Sequence, residues 1–329
     1  MTRDPGAPIS NTGTRHLHRP RPDTARASWQ ADDLVIAASL AGLLPFAWLL
    51  PERLWRGFCR AVARLPIVDR KLLAGNADAI RRCFAKIGQP AAMDLAVSLL
   101  AAVYELRLQN LRALWPGAWQ PRIVLTGGEH LDAALAAGRG AVLWVGHFSF
   151  NSNVTKMALA ARGQPAVHLS RPEHGFSKTR LGIALLNPLR CIPEDRTLRA
   201  RIVYDRGNPA AAMRRMMKTL QENGLLTITA GTWEGSDVAE GAMLGGRIGV
   251  ALGAPRLAAR TGAALLPVFT VRRPDGAFEV AIEPPIGLPG GAARHMAETE
   301  AAQAYLRRHE RWITAYPEQW RGWKEWRPG

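Results

Sequence analysis

After Trp115-Pro116 the chain settles into short apolar runs alternating with helical stretches, so strands are expected near 122–126, 141–145, 165–169, 224–229, 264–271 and 277–283. Strands separated by helices pair in parallel through crossovers, because a hairpin turn cannot hold a helix. The alternation predicts an α/β fold, a mostly parallel mixed sheet covered by helices. At 329 residues, of which 47% are hydrophobic, the chain can bury a full core.

Within this pattern, Ala141-Val-Leu-Trp-Val145 runs directly into Gly146-His147-Phe148 and a group of small polar residues. One imidazole therefore sits just past the end of a buried strand, at the mouth of the following helix. Chemistry in α/β proteins collects at strand ends. An imidazole takes up a proton near neutral pH, and a helix start favours developing negative charge, which together suit base-assisted attack on an acyl carbon. Capping the helix, or bonding a neighbouring carbonyl, is the structural use of a histidine in the same place.

Upstream, residues 1–32 are rich in Pro, Thr, Arg and Gly without helical periodicity and read as a disordered basic arm. Residues 33–115 read as a helical membrane-associating region and 116–329 as the catalytic domain. Leu34 to Leu50 is apolar throughout and just reaches the minimum of about 17 residues for a bilayer span. Pro45 weakens a straight crossing, so membrane attachment is expected without a commitment to spanning. From Pro51 to Arg64 cations alternate with apolar residues at helical spacing, the pattern of a helix lying on an anionic interface. The apolar run starts late and lacks a cleavage site, which argues against a secretory signal. Helices are expected at 76–88 and 91–114, the second with Met93, Leu95, Ala96, Leu99, Leu100, Val103 and Leu106 turned to the core.

The formal net charge of +16 selects anionic partners. Zinc-finger spacing, an RNA-binding aromatic signature and long Lys/Arg runs are all missing, so nucleic acid is excluded in favour of membrane and acidic carrier protein. Cys59, Cys83 and Cys191 are too scattered for a zinc site or a disulfide framework, and the body is expected to face the reducing cytoplasm. The glycines of 245–253 fit neither nucleotide-loop pattern. Near the end, Trp312, Trp320, Trp323 and Trp326 are interleaved with Arg321, Lys324 and Arg327, suiting either a membrane boundary or a C-terminal helix packed on the sheet.

Several strings occur in a telling order: Thr126-Gly-Gly-Glu-His-Leu-Asp-Ala-Ala-Leu135, Gly138-Arg-Gly140, Gly146-His147-Phe148, Leu169-Ser-Arg-Pro172, Glu234-Gly235, Gly245-Gly-Arg247, Pro255 to Val268 and Tyr316-Pro-Glu-Gln-Trp320. Together they resemble the bacterial late acyltransferases of lipid A biosynthesis, the lauroyl/myristoyl acyltransferases of the lysophospholipid acyltransferase superfamily. The resemblance implies a glycerolipid acyltransferase-like fold at the cytoplasmic face of the bacterial inner membrane. It also implies transfer of a fatty acyl chain from acyl carrier protein to a hydroxyl of an anionic membrane glycolipid, such as a lipid A precursor, or of a phospholipid. No metal or other cofactor is called for.

In that family the histidine is followed, after four intervening residues, by Asp or Glu. Here the position is Ser152, flanked by Asn151 and Asn153. A hydroxyl can fix an imidazole tautomer but gives no ion-pair stabilisation of the imidazolium. The resemblance puts His147 in the catalytic role with Ser152 as its partner, and Arg171 and Glu234 on the acceptor. Arg247, among glycines that let backbone approach an anion, and Asn151 are further substrate-binding candidates. The departure at Ser152 keeps a second class of function open, a non-catalytic lipid or carrier-protein binder; an aminolipid acceptor is a third.

Overall fold

The computed structural model describes residues 15–18, 27–66, 69–231, 237–288 and 294–329, with side chains withheld for 15–18 and 294–296. The N-terminal third is a helical layer: α1 (Ala31–Leu49), α2 (Glu52–Val62), α3 (Arg70–Cys83) and α4 (Gln89–Ala113). Helix α4 is the hub of this layer and packs against each of the other three. Its length follows from 25 residues of good helix formers after a proline at the first turn, where the missing N–H costs nothing.

The second part alternates as expected: β2 (Ile123–Thr126), α5 (Gly128–Ala136), β3 (Ala141–Val145), α6 (Asn151–Ala161), β4 (Val167–Ser170), α7 (Arg180–Leu185), α8 (Pro188–Asp195), β5 (Ala200–Val203), α9 (Pro209–Gln221) and β6 (Leu225–Thr229). It continues with β7 (Asp237–Met243), β8 (Gly246–Ala251), α10 (Gly253–Thr261), β9 (Ala264–Arg272), β10 (Phe278–Ile282), α11 (Arg294–Ala315) and a last strand, β11 (Arg327–Pro328). The main sheet has the order β2-β10-β9-β3-β6-β4-β5. Every neighbouring pair is parallel except β9 with β10, so the sheet is mixed but mostly parallel. Strand β3 lies near the centre between β9 and β6, and all five of its residues are buried, as a strand covered on both faces requires.

Strands β7 and β8 form a hairpin in a second, smaller sheet that the sequence reading did not anticipate. Its two-residue turn, Leu244 (φ 53°) and Gly245 (φ 67°), is left-handed at both positions, the turn whose twist matches a hairpin. The glycine run there serves backbone geometry. The edge of this sheet is extended by Arg15–His18, here β1, which pairs antiparallel with residues 237–240. That corrects the expectation of disorder for this stretch of the arm: its order comes from main-chain bonds to a sheet edge, which side-chain composition does not encode. The rest of the arm up to residue 26 lies outside the described residues. Residues Ala27 and Ser28 are also held, their carbonyls accepting from the N–H groups of Arg180 and Leu181.

The tryptophans of the tail take the packed alternative, although the last helix ends before most of them. Trp320, Trp323 and Trp326 are buried in the core, and the indole N–H groups of Trp323 and Trp326 donate to the Pro317 and Met243 carbonyls at 3.0 Å each. A buried indole finds an acceptor in this way.

Candidate active site

The polypeptide turns sharply between β3 and α6, and the turn carries His147. Gly146 begins it: its N–H donates to Val268 O at 2.8 Å, and a Cβ at this position would meet the Phe269 ring at 2.7 Å, so the loop lies flat against β9. Phe148 and Phe150 are fully buried and anchor the loop from within. The C-terminal tail then clamps it from outside. Phe148 bridges Trp320, Ser149 N–H donates to Gln319 O at 2.8 Å, and Arg321 N–H donates to His147 O at 3.0 Å.

His147 opens onto a cavity of about 510 Å³, within the size range of small-ligand sites. The cavity lies at the carboxyl ends of β3, β4 and β6, where Val145, Ser170 and Thr229 line it, and its other walls include Asn151, Ser152, Lys156, Arg171, Arg190 and Arg321. A crevice outside parallel strand ends is where this architecture binds ligands. Burial first, then the charges of Arg321, Arg190 and Arg171, hold the His147 imidazole well below its ordinary pKa of 6.5. The ring is therefore neutral at physiological pH. Ser152 is buried in the first turn of α6 on the cavity wall, its Oγ without a hydrogen-bond partner among the described residues. Asn153 turns instead toward α4 and donates to Asn110 Oδ1 at 3.0 Å.

The chain matches the Bacterial lipid A biosynthesis acyltransferase family over residues 41–324, most of its length. It belongs to that family. Among solved structures it is similar to the 1-acyl-sn-glycerophosphate (LPA) acyltransferase PlsC from Thermotoga maritima, with 11% identity, a TM-score of 0.35, and 85% of this chain and 95% of that one covered. No curated protein matches the sequence.

Of the acyltransferase's sequence-predicted site residues, His147, Ser152, Asn151 and Arg171 line one cavity. Arg247 does not: it lies on β8 with its Nε 3.3 Å from Glu240 on the neighbouring strand, a cross-strand pair of the small sheet. Glu234 lies outside the described residues.

The cavity floor holds a charge cluster that sequence reading missed. Glu194 on α8 is completely buried and accepts from Lys156 of α6 at 2.5 Å, His174 at 2.8 Å, and Arg190 and Arg201 at 3.0 Å each. Burial alone would raise the Glu194 pKa, but Lys156, His174 and Arg190 outweigh it and hold the carboxyl well below its usual range. Burial pulls Lys156 down to about 8, with Glu194 opposing. His168, His174 and Glu194 bring potential metal-ligand atoms within 4.8 Å of one another. They do not suit a dication, since the one carboxylate already faces three fixed cations and His168 Nδ1 is engaged with Thr227 Oγ1 at 2.9 Å.

Buried neutral histidines make the acyltransferase acid-sensitive. Burial depresses His309 to about 3, and burial, opposed by Glu194, brings His174 to about 4, both from 6.5. As pH falls below 6.5 the unfolded chain takes up protons that the folded chain refuses, so the contribution of these two groups is level above that pH and declines toward the folded values. Each group contributes about 1.4 kcal/mol per pH unit within its window. Urea midpoints should hold steady between pH 6.5 and about 8 and fall between pH 6.5 and 4, with a shallower fall in His309→Phe. Constant midpoints across that window would contradict the burial account.

Proposed function

We propose that the protein transfers a fatty acyl chain from an acyl thioester, carried by acyl carrier protein, to a hydroxyl of an anionic membrane glycolipid such as a lipid A precursor. The observation that carries the reading is the neutral imidazole of His147 at the end of β3, facing a cavity that also holds Ser152 and Arg171. His147 takes the proton of the acceptor hydroxyl as its oxygen bonds to the thioester carbonyl carbon. First-turn N–H groups of α6 steady the oxyanion. The C–S bond then breaks, and the leaving thiolate recovers the proton from His147. Arg171 holds the acceptor, with Asn151 beside it and Glu234 as a further acceptor contact.

The membrane supplies the acceptor at the bacterial inner membrane's cytoplasmic face. Helix α1 is long and apolar enough to cross a bilayer, and its outer face exposes Leu34, Val35, Leu44, Phe46, Trp48 and Leu49. It is also fastened along its length: Asp33 accepts from Ser177 and Thr179, Arg107 reaches Ser39, and Arg112 donates to Ala47 O and Leu50 O. These contacts support a placement of α1 in one leaflet as a fixed part of the body, with the cationic face of α2 on the headgroups.

Ser152 favours one competing reading, binding of lipid or carrier protein without turnover. The two separate when purified protein in anionic vesicles receives isotope-labelled acyl carrier protein and a panel of hydroxyl and amine lipids, with products identified by mass spectrometry. An O-linked labelled ester on a phosphorylated glycolipid is expected. An amide product would move the acceptor to the aminolipids, and binding without any product would make the protein a non-catalytic member of its family.

A further inference from the structure

Arg321 enters the cavity from the C-terminal tail, and nothing in the reaction described above uses it. Its backbone is bonded to the carbonyl of His147, so the guanidinium is carried on the same clamp that fixes the imidazole. It lines the cavity with His147, Arg171 and Arg190. Arg190 arrives from α8 and gives its Nε to Glu194 at 3.0 Å, while Arg321 forms no ion pair among the described residues. Burial, then Arg190, bring Arg321 down to about 10 against the opposing pull of Glu325, and Arg107 adds further repulsion. The group remains a cation at neutral pH, set against others of its kind.

Guanidiniums gathered at one cavity wall repel each other and lose hydration, and an anion between them reverses both penalties. Their planar forks match the oxygens of a phosphate, and a dianion matches two of them in charge. We propose that Arg321 and Arg190 form an anion subsite beside His147 that takes a phosphate group of one substrate, making Arg321 a specificity-determining residue for the transfer. The proposal rests on the acyl-transfer reading for its consequence, though not for the binding itself. The phosphate belongs either to the acceptor headgroup or to the phosphopantetheine arm of the donor. Seating it fixes the distance from that phosphate to the reacting oxygen or thioester at the imidazole.

The test uses the full-length protein with Arg321→Gln and Arg321→Lys. Inorganic phosphate and pyrophosphate binding, followed by 31P line broadening without any turnover, should weaken at least about ten-fold in Arg321→Gln, as expected for losing a charge-assisted bond. Arg321→Lys should recover part of it. In kinetics, a raised KM for a phosphorylated acceptor but not for its dephosphorylated form assigns the phosphate to the acceptor. A raised KM for acyl carrier protein but not for an acyl thioester of a phosphate-free short thiol assigns it to the donor. Equal phosphate binding and equal KM values in wild type and Arg321→Gln overturn the subsite. Should Arg321→Gln fail to fold, Arg321→Lys carries the same comparison. Loss of phosphate binding in a protein that transfers no acyl group leaves the subsite standing and removes the acyl-transfer reading instead.

Discussion

Glu194→Ala should destabilise the protein by roughly 4 kcal/mol, the cost of leaving buried charges without their counter-ion. The carboxylate is shared by Lys156, Arg190 and Arg201, and Lys156 is 3% exposed with no other ion-pair partner among the described residues. Arg201 keeps Asp195 at 2.7 Å and loses less. For a chain of this size the shift in Tm is on the order of 10 °C. Lys156→Met made together with Glu194→Ala should return part of the loss, because an apolar side chain needs no counter-charge, and the coupling from the double-mutant cycle should be about 2 kcal/mol. Additive losses would mean that the two groups do not depend on each other. The effect reaches function because this cluster binds α6 to α8 and β5: it holds in place the helix that carries Ser152 and the wall that carries Arg190.

His147→Ala should lower acyl transfer about a thousand-fold, the usual scale for removing a positioned general base. The fold should survive, since the loop is held by main-chain bonds to Gln319 and Val268 and by the buried rings of Phe148 and Phe150. Circular dichroism and the urea midpoint check that directly. Ser152→Glu is the complementary change. It places a carboxylate where the family has one, on the wall of the same cavity, and should speed transfer by stabilising the imidazolium. A gain there together with the loss at His147 ties both positions to one proton transfer.

What the sequence made legible follows the range of the interactions involved. Strand β3 was visible because a strand buried on both faces must be apolar at every position, and His147 was visible because it interrupts that run at the strand's end. Helix α4 announced itself by its length, though α3 begins six residues earlier than its apolar spacing suggested. Strand β5, only four residues long, and the hairpin of β7 and β8 were missed: in the hairpin, small residues and glycines read as loop in a single sequence. The position of Arg247 was hidden for a related reason, since its cross-strand partner Glu240 is seven residues away and meets it only once the hairpin forms. Glu194 and Lys156 lie 38 residues apart and meet only in the fold. Lys156 did leave one trace, as the sole charge in α6, four residues beyond Ser152 and on the same helical face. Arg321 left less, an arginine between Trp320 and Gly322 in a tail where cations are frequent.

In the proposed reaction a neutral imidazole at the end of β3 drives transfer to a lipid hydroxyl without an acid at residue 152. Single-turnover quenched flow, with excess enzyme over radiolabelled acyl carrier protein and phosphorylated glycolipid in anionic vesicles, tests it most directly. The account predicts labelled lipid ester appearing in step with free carrier thiol for the wild type and near-zero formation for folded His147→Ala. Equal rates for the two proteins, or an intact thioester beside bound lipid in the wild type, would contradict it.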